Sequence, residues 1–220
     1  MQRLHISSIL ERESITHVQG IITVQGKDRE RYIAALDYAA RHHAGQTRKG
    51  KKTPYVSHVI SVSGIVLENG GDMDQAVAAL LHDLVEDCDT VTHQDILELF
   101  GPRVAQIVED CTDTLPGDNS EKKSPWKLRK DRYLETMKRA SEHSLLVAAA
   151  DKRHNLGSMV ADLRIHGVQS LERFSAAPTQ QRWYFQEFIR ITKERIPKRL
   201  NAELQHLLNE FCALAELERT

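Results

Sequence analysis

The chemistry-bearing residues of this chain gather in the segment His82-Asp83-Leu84-Val85-Glu86-Asp87. His82 and Glu86 are four apart, and so are Asp83 and Asp87. On a helix that spacing puts an imidazole and three carboxylates on one face. Carboxylates this close repel one another unless a cation or a proton sits among them. Read without function, the segment is an acidic, solvated helix face, which is common.

Two further pieces change the balance. Leu145–Ala150 is a run of apolar residues leading into Asp151. A helix apolar all round is buried, so a carboxylate at its end needs a partner or a metal. Asn155 follows one turn later on the same face. The plain reading of Asp151 is a salt bridge, but the adjacent Lys152 and Arg153 are expected to point elsewhere around the helix. The other piece is His58, just after Pro54-Tyr55. Alone it reads as a hydrogen-bonded structural histidine, as most of the 11 histidines must be. Together, His58, His82, Asp83 and Asp151 make a mixed nitrogen and oxygen donor set. Such a set suits Mn²⁺, Fe²⁺ or Zn²⁺ better than Mg²⁺ or a thiolate-preferring metal. With open positions for water and a phosphate oxygen, that chemistry is metal-assisted hydrolysis. Glu86 and Asp87, surplus to the ligand set, are placed to handle protons.

The elements that must position these residues are helical. Val77, Leu80, Leu81, Leu84, Val85 and Cys88 fall on one apolar stripe, which predicts a single helix over 74–88. Helices are also predicted over 31–41, 92–100, 102–111, 129–140, 145–164, 180–196 and 200–217, punctuated by Gly101-Pro102 and Pro197. Val56–Leu67 is ambiguous: its Val and Ile content suits a strand, while its spacing and Pro54 suit a helix start. Residues 45–54 form a basic loop and 116–125 a long polar one. Residues 1–26 read as an appendage, with a short helix over 6–13 and a short strand over 21–24. Residues 27–220 then form one domain of the all-α class.

Composition bounds the rest. Of 220 residues, 40% are hydrophobic and 28% charged, ordinary for a soluble globular protein. The formal net charge is −1, so bulk attraction to a nucleic-acid polymer or an anionic membrane is not expected, and basic features must be local. The 3 cysteines are far apart, which argues against a disulfide framework or a cysteine zinc site. No signal-peptide core and no apolar run of about 18 residues is present, so a cytoplasmic location is expected.

The ordered blocks AxxxHxGQxRK (Ala39–Lys49), TPYxxH (Thr53–His58), AALLHDxVED (from Ala78), FGxxVxxIVxxxTD (Phe100–Asp113), PWxxRKxxYL (Pro125–Leu134), ADKxxN (Ala150–Asn155) and WYF (Trp183–Phe185) resemble the HD superfamily. More narrowly, they resemble the (p)ppGpp hydrolase domain of RelA/SpoT-type enzymes, in the form of a stand-alone small alarmone hydrolase. The resemblance implies an HD helical bundle that binds Mn²⁺, or another divalent transition metal, through His58, His82, Asp83 and Asp151. It implies that Glu86-Asp87 serves the catalytic water and proton transfers. It places Arg48 against guanine, Asn155 at the sugar and phosphates, and Tyr184 at the phosphates, with Lys49 beside them. Lys127 or Lys130 would approach the distal phosphates, a choice left open. Lys51 and Lys52 are variable positions, and Lys122 and Lys123 are expected to be solvated charges. The implied reaction is hydrolysis of the 3′-pyrophosphate of a guanine nucleotide alarmone. Because no synthetase region follows Thr220, degradation rather than synthesis is expected. The rival readings are an HD phosphohydrolase for another nucleotide or NADPH, and a non-catalytic nucleotide-binding module. Whether the protein is a homo-oligomer stays open.

Overall fold

Local signals start or stop several of the described helices. The structure, a computed structural model, describes residues 26–114, 117–118 and 122–217. The helix and strand expected within residues 1–25 lie outside them. Asp72 and Gln75 form a capping box at the start of α3 (Met73–Leu81), and Thr92 and Asp95 form another at α5 (His93–Phe100). Pro102 opens α6 (Pro102–Cys111) just after Gly101, whose φ of 91° requires glycine. The other helices are α1 (Gly26–His42), α2 (Val56–Glu68), α4 (Leu84–Asp87), α7 (Trp126–Arg139), α8 (Glu142–His166), α9 (Pro178–Thr192) and α10 (Lys198–Leu214), with a 3-10 turn at Val168–Leu171. The all-α expectation holds among the described residues. None of their helices is long and apolar enough to cross a membrane.

The ambiguous segment 56–67 is a helix. Its β-branched residues serve packing, since Val59, Val62 and Val66 are fully buried. Helices α3 and α8 form the centre. α8 packs on α2, α3, α6 and α10, and α3 packs on α1, α2 and α6. The run Leu145–Ala150 is buried throughout, as a helix enclosed by neighbours must be.

One expectation is corrected. The stretch 74–88 is not a single helix but α3 and α4, separated at His82-Asp83. The backbone stays right-handed there, with φ −61° and ψ −28° at His82 and φ −96° and ψ −7° at Asp83. The break has a visible local correlate. The Ala79 carbonyl, which an unbroken helix would offer to the Asp83 N–H, accepts from His82 Nδ1 at 2.8 Å. The basic loop is also more ordered than a plain polar connection. Thr47 and Pro54 form an isolated bridge, and Arg48 N–H donates to the Thr53 carbonyl at 2.9 Å.

Candidate functional site

Three elements deliver the four expected ligands. α2 carries His58, the α3–α4 junction carries His82 and Asp83, and α8 carries Asp151. His58, His82 and Asp151 present donor atoms that all lie within 4.8 Å of one another. Asp83 joins them, with Oδ2 at 3.2 Å from His58 Nε2 and 3.1 Å from His82 Nε2. Adjacent residues of a regular helix do not face each other. The break at His82-Asp83 is what lets both side chains reach one point. Asp151 Oδ1 stands 3.2 Å from His58 Nε2 and 3.7 Å from His82 Nε2. The two histidines and Asp151 are buried.

The donor chemistry fits a divalent cation. Because Nδ1 of His82 donates to a carbonyl, its buried Nε2 is left without a hydrogen-bond partner, facing carboxylate oxygens. A bare lone pair and two carboxylates can share that space only around positive charge. Donors a little over 3 Å apart have the spacing expected of ligands each about 2.1 Å from a shared centre. Without metal, a proton fills the role. Burial works to lower the His82 pKa, but the Asp83 charge and the Asp151 and Asp83 carboxylate oxygens facing Nε2 override it and hold the imidazole well above its ordinary range. Burial likewise opposes ionisation of Asp83 and Asp151. His82 beside the first and Lys152 beside the second keep both carboxyls well below the usual range.

Further side chains hold this cluster from outside. The Tyr55 hydroxyl donates to Asp83 Oδ2 at 2.6 Å. Asn155 Nδ2 donates to Asp151 Oδ1 at 2.5 Å, and Arg48 in turn donates to Asn155 Oδ1 at 2.5 Å. Lys152 Nζ lies 2.5 Å from Asp151 Oδ2. This corrects the expectation that Lys152 points away: its flexible stem folds back onto the neighbouring carboxylate inside the fold. His154 Nδ1 lies 2.8 Å from His58 Nδ1. Burial, with His58 and Arg48 nearby, pushes the His154 pKa down to about 4.

Beside the cluster runs a cleft of about 510 Å³, lined among others by Arg48, Lys49, Lys51, Tyr55, Glu86, Asp87, Lys130, Lys152, Asn155, Arg173, Phe174 and Tyr184. Six of these are cationic and two anionic, in a chain of net charge −1. Glu86 Oε1 accepts from Lys123 at 2.8 Å, and Oε2 accepts from the Asp113 N–H at 3.2 Å. Burial pushes the Glu86 carboxyl above its ordinary range, opposed by the Lys123 charge and aided by that of Asp113. Asp87 is held on both oxygens, by Lys123 at 3.1 Å and by Gln46 Nε2 at 3.1 Å. Lys123 is therefore no solvated charge. It bridges the acidic pair from a segment 36 residues away.

Arg48, Lys49, Lys130, Asn155 and Tyr184 thus meet in one cleft, Tyr184 with its buried hydroxyl unpartnered. Lys130 pairs with Asp113 and sits 4.9 Å from the Tyr184 ring centre. Lys127 does not line the cleft. Its position on α7 turns it toward Asp131 at 2.5 Å and the Trp183 ring at 4.0 Å. Lys51, read as variable, lines the cleft and pairs with Asp162 at 2.7 Å. Sequence reasoning gave no role to Gln46, Tyr55, Lys123 or His154. Gln46, Tyr55 and His154 lie inside or between recognised blocks, so proximity to GQxRK, TPYxxH and ADKxxN was the available signal. Lys123 carried none.

The sequence profile of the family described as HD domain matches residues 35–177. The chain belongs to the HD domain family. Within that family it is 40% identical over 129 residues to the guanosine-3′,5′-bis(diphosphate) 3′-pyrophosphohydrolase MESH1 of Drosophila melanogaster, covering 57% of this chain and 68% of that one. It is 40% identical over 135 residues to the human protein of the same name, covering 60% and 70%. The bifunctional (p)ppGpp synthase/hydrolase SpoT of Escherichia coli (strain K12) is 33% identical over 145 residues, 62% of this chain and 19% of that one. Among solved structures, a metazoan orthologue of SpoT, described as hydrolysing ppGpp and playing a role in starvation responses, superposes with a TM-score of 0.63. It is 31% identical, over 89% of this chain and 99% of that one.

Proposed function

We propose that this protein hydrolyses the 3′-pyrophosphate of (p)ppGpp, giving GDP or GTP and pyrophosphate. The observation that carries the reading is a cation-lined cleft lying directly beside a His/His/Asp/Asp cluster in which all but the half-buried Asp83 are buried. A substrate with about four to five negative charges needs such local cations on a near-neutral protein. Similarity to the MESH1 and SpoT hydrolases supports the same substrate. Residues 27–220 form the hydrolase unit in this reading, with residues 1–26 as an appendage.

His58, His82, Asp83 and Asp151 would hold Mn²⁺ in preference to harder or more thiophilic metals. When bound, such a cation polarises a phosphoryl oxygen and acidifies water. The chain's own groups do the rest. Water attacks the phosphorus attached to O3′, and the P–O3′ bond breaks. The proton lost by water passes to the Glu86–Asp87 pair, and O3′ takes one up. Glu86, with its carboxyl raised above the ordinary range by burial, is suited to accept and return a proton. Of the residues that line the cleft, Lys130, Lys152 and Tyr184 would face the diphosphate with Lys49 beside them, Asn155 would lie at the sugar and phosphates, and Arg48 at the base. Arg48 offers a planar cation for stacking on a base.

Purified protein with Mn²⁺ and a panel of nucleotides, followed by chromatography, tests this. Pyrophosphate with GDP from ppGpp is the expected result. Intact ppGpp, or turnover confined to another nucleotide such as NADPH, would overturn it.

A further inference from the structure

The geometry points to His154 as a positioning residue that fixes the proton of His58 on Nδ1 and so aims the Nε2 lone pair of His58 into the cluster. This rests on the metal-site reading above. His58 Nδ1 and His154 Nδ1 are 2.8 Å apart, with the rings tilted by 48° and their centres 4.7 Å apart. Two imidazole nitrogens at that distance share one proton: one donates and the other accepts. The other nitrogen of His58 faces Asp83 Oδ2 and Asp151 Oδ1, each at 3.2 Å. To offer a lone pair there, His58 must carry its proton on Nδ1. His154 Nδ1 is then the acceptor, and the proton of His154 sits on its own Nε2. The opposite assignment, with His154 donating and His58 Nε2–H facing the carboxylates, suits only a chain without metal.

Histidine ligands usually give this outer N–H to a carboxylate, a carbonyl or water. Here the acceptor is an imidazole. It orients the ligand without adding negative charge to a site already crowded by Asp83, Asp151, Glu86 and Asp87. The placement is economical in structural terms. His154 and Asp151 are three residues apart on α8, so one helix supplies a ligand and, one turn along, the acceptor for the ligand on α2.

Two substitutions separate this role from packing. His154→Phe keeps a ring and removes the acceptor. His154→Asn removes the ring and keeps an oxygen acceptor near the Nδ1 position. Chelated protein is titrated with Mn²⁺, reading free Mn²⁺ by electron paramagnetic resonance. His154→Phe is expected to weaken Mn²⁺ binding by about 10–100-fold, with His154→Asn much closer to wild type. Equal affinity of His154→Phe and wild type would overturn the proposal, as would a loss in His154→Asn matching that in His154→Phe. Nitrogen-15 NMR of the wild type loaded with diamagnetic Zn²⁺ tests it without any substitution. Protons on His58 Nδ1 and His154 Nε2 are expected, and the reverse pair would refute the assignment. Failure of the underlying reading looks different: the wild type itself would bind no Mn²⁺, or His82→Ala would bind it equally well.

Discussion

Glu86 is a carboxylate under opposed influences. Burial and the Asp113 charge raise its pKa, and Lys123 pulls it down. If Glu86 takes the proton from water, it must be ionised in the working enzyme. Lys123→Met removes the downward pull, so the folded pKa of Glu86 rises further. The acid limb of kcat/KM should then move to higher pH, with activity recovering as the pH increases. An unmoved limb would assign that limb to another group. Glu86→Gln tests the same residue by removal. It should retain Mn²⁺ and lose about 10²–10⁴-fold in turnover, and wild-type turnover would take Glu86 out of the chemistry. Lys123 also shows what residue-level reading misses. Its partners are 36 and 37 positions away, and nothing in its surroundings in the sequence distinguishes it from Lys122. Lys127 and Lys130 differ by three positions on α7, yet one meets Asp131 and Trp183 and the other Asp113 and Tyr184. Which of them turns into the cleft is decided by the rotation of α7 against α9, a tertiary fact. Asp151 and Asn155 were readable because a continuous apolar run inside a helix leaves the polar groups that directly follow it few places to go.

At the scale of elements, the site depends on how α2 and α3 are joined, because His58 lies on α2 and His82 directly follows α3. The connection is tight. Gly71 N–H donates to the Val66 carbonyl at 2.9 Å. A Cβ at Gly71 would lie 2.4 Å from Val66 Cγ1 and 2.9 Å from the Val66 carbonyl oxygen. Side-chain rotation cannot clear the second clash, because that oxygen is backbone. Gly71→Ala should therefore destabilise the fold by about 1–3 kcal/mol, the usual range for overpacking. A lower midpoint in urea with an unchanged slope checks this, and an unchanged midpoint would show that the turn relaxes freely. Helical periodicity located most elements, with ends displaced by a few residues. Two features escaped it. Val56–Glu68 carries β-branched residues because it is packed on several sides, and propensity alone could not settle its type. The apolar stripe of 74–88 continues across the break, with Leu84 buried and Val85 and Cys88 packed against the core. Periodicity reports facing and is blind to the carbonyl that His82 captures.

At the scale of the molecule, the cluster ties α2, the α3–α4 junction and α8 together around charge, so metal content should be coupled to stability. The sign of its pH dependence follows from the shifts. In the metal-free chain the His82 pKa is raised above its unfolded value. Its contribution to stability is fully present below about pH 6.5 and is lost as the pH rises through the folded value. Asp83 and Asp151 are depressed, so their contribution is present above their unfolded values and is lost only as the pH falls through the folded ones. They stay constant near neutrality. A bound cation replaces the His82 proton, so the metal-loaded chain does not share the loss. The gap in Tm between Mn²⁺-loaded and chelated protein should therefore widen as the pH rises from about 6 to 8. At a hundredfold excess over Kd, binding adds about 2.7 kcal/mol. For a domain of this size that corresponds to a gap on the order of 5–10 °C. Scanning fluorimetry at several pH values measures it, with His82→Ala as the control in which Mn²⁺ should shift nothing. A gap that narrows with rising pH would mean that His82 carries no proton for the metal to displace. A gap that persists in His82→Ala would place the stabilising cation elsewhere on the chain.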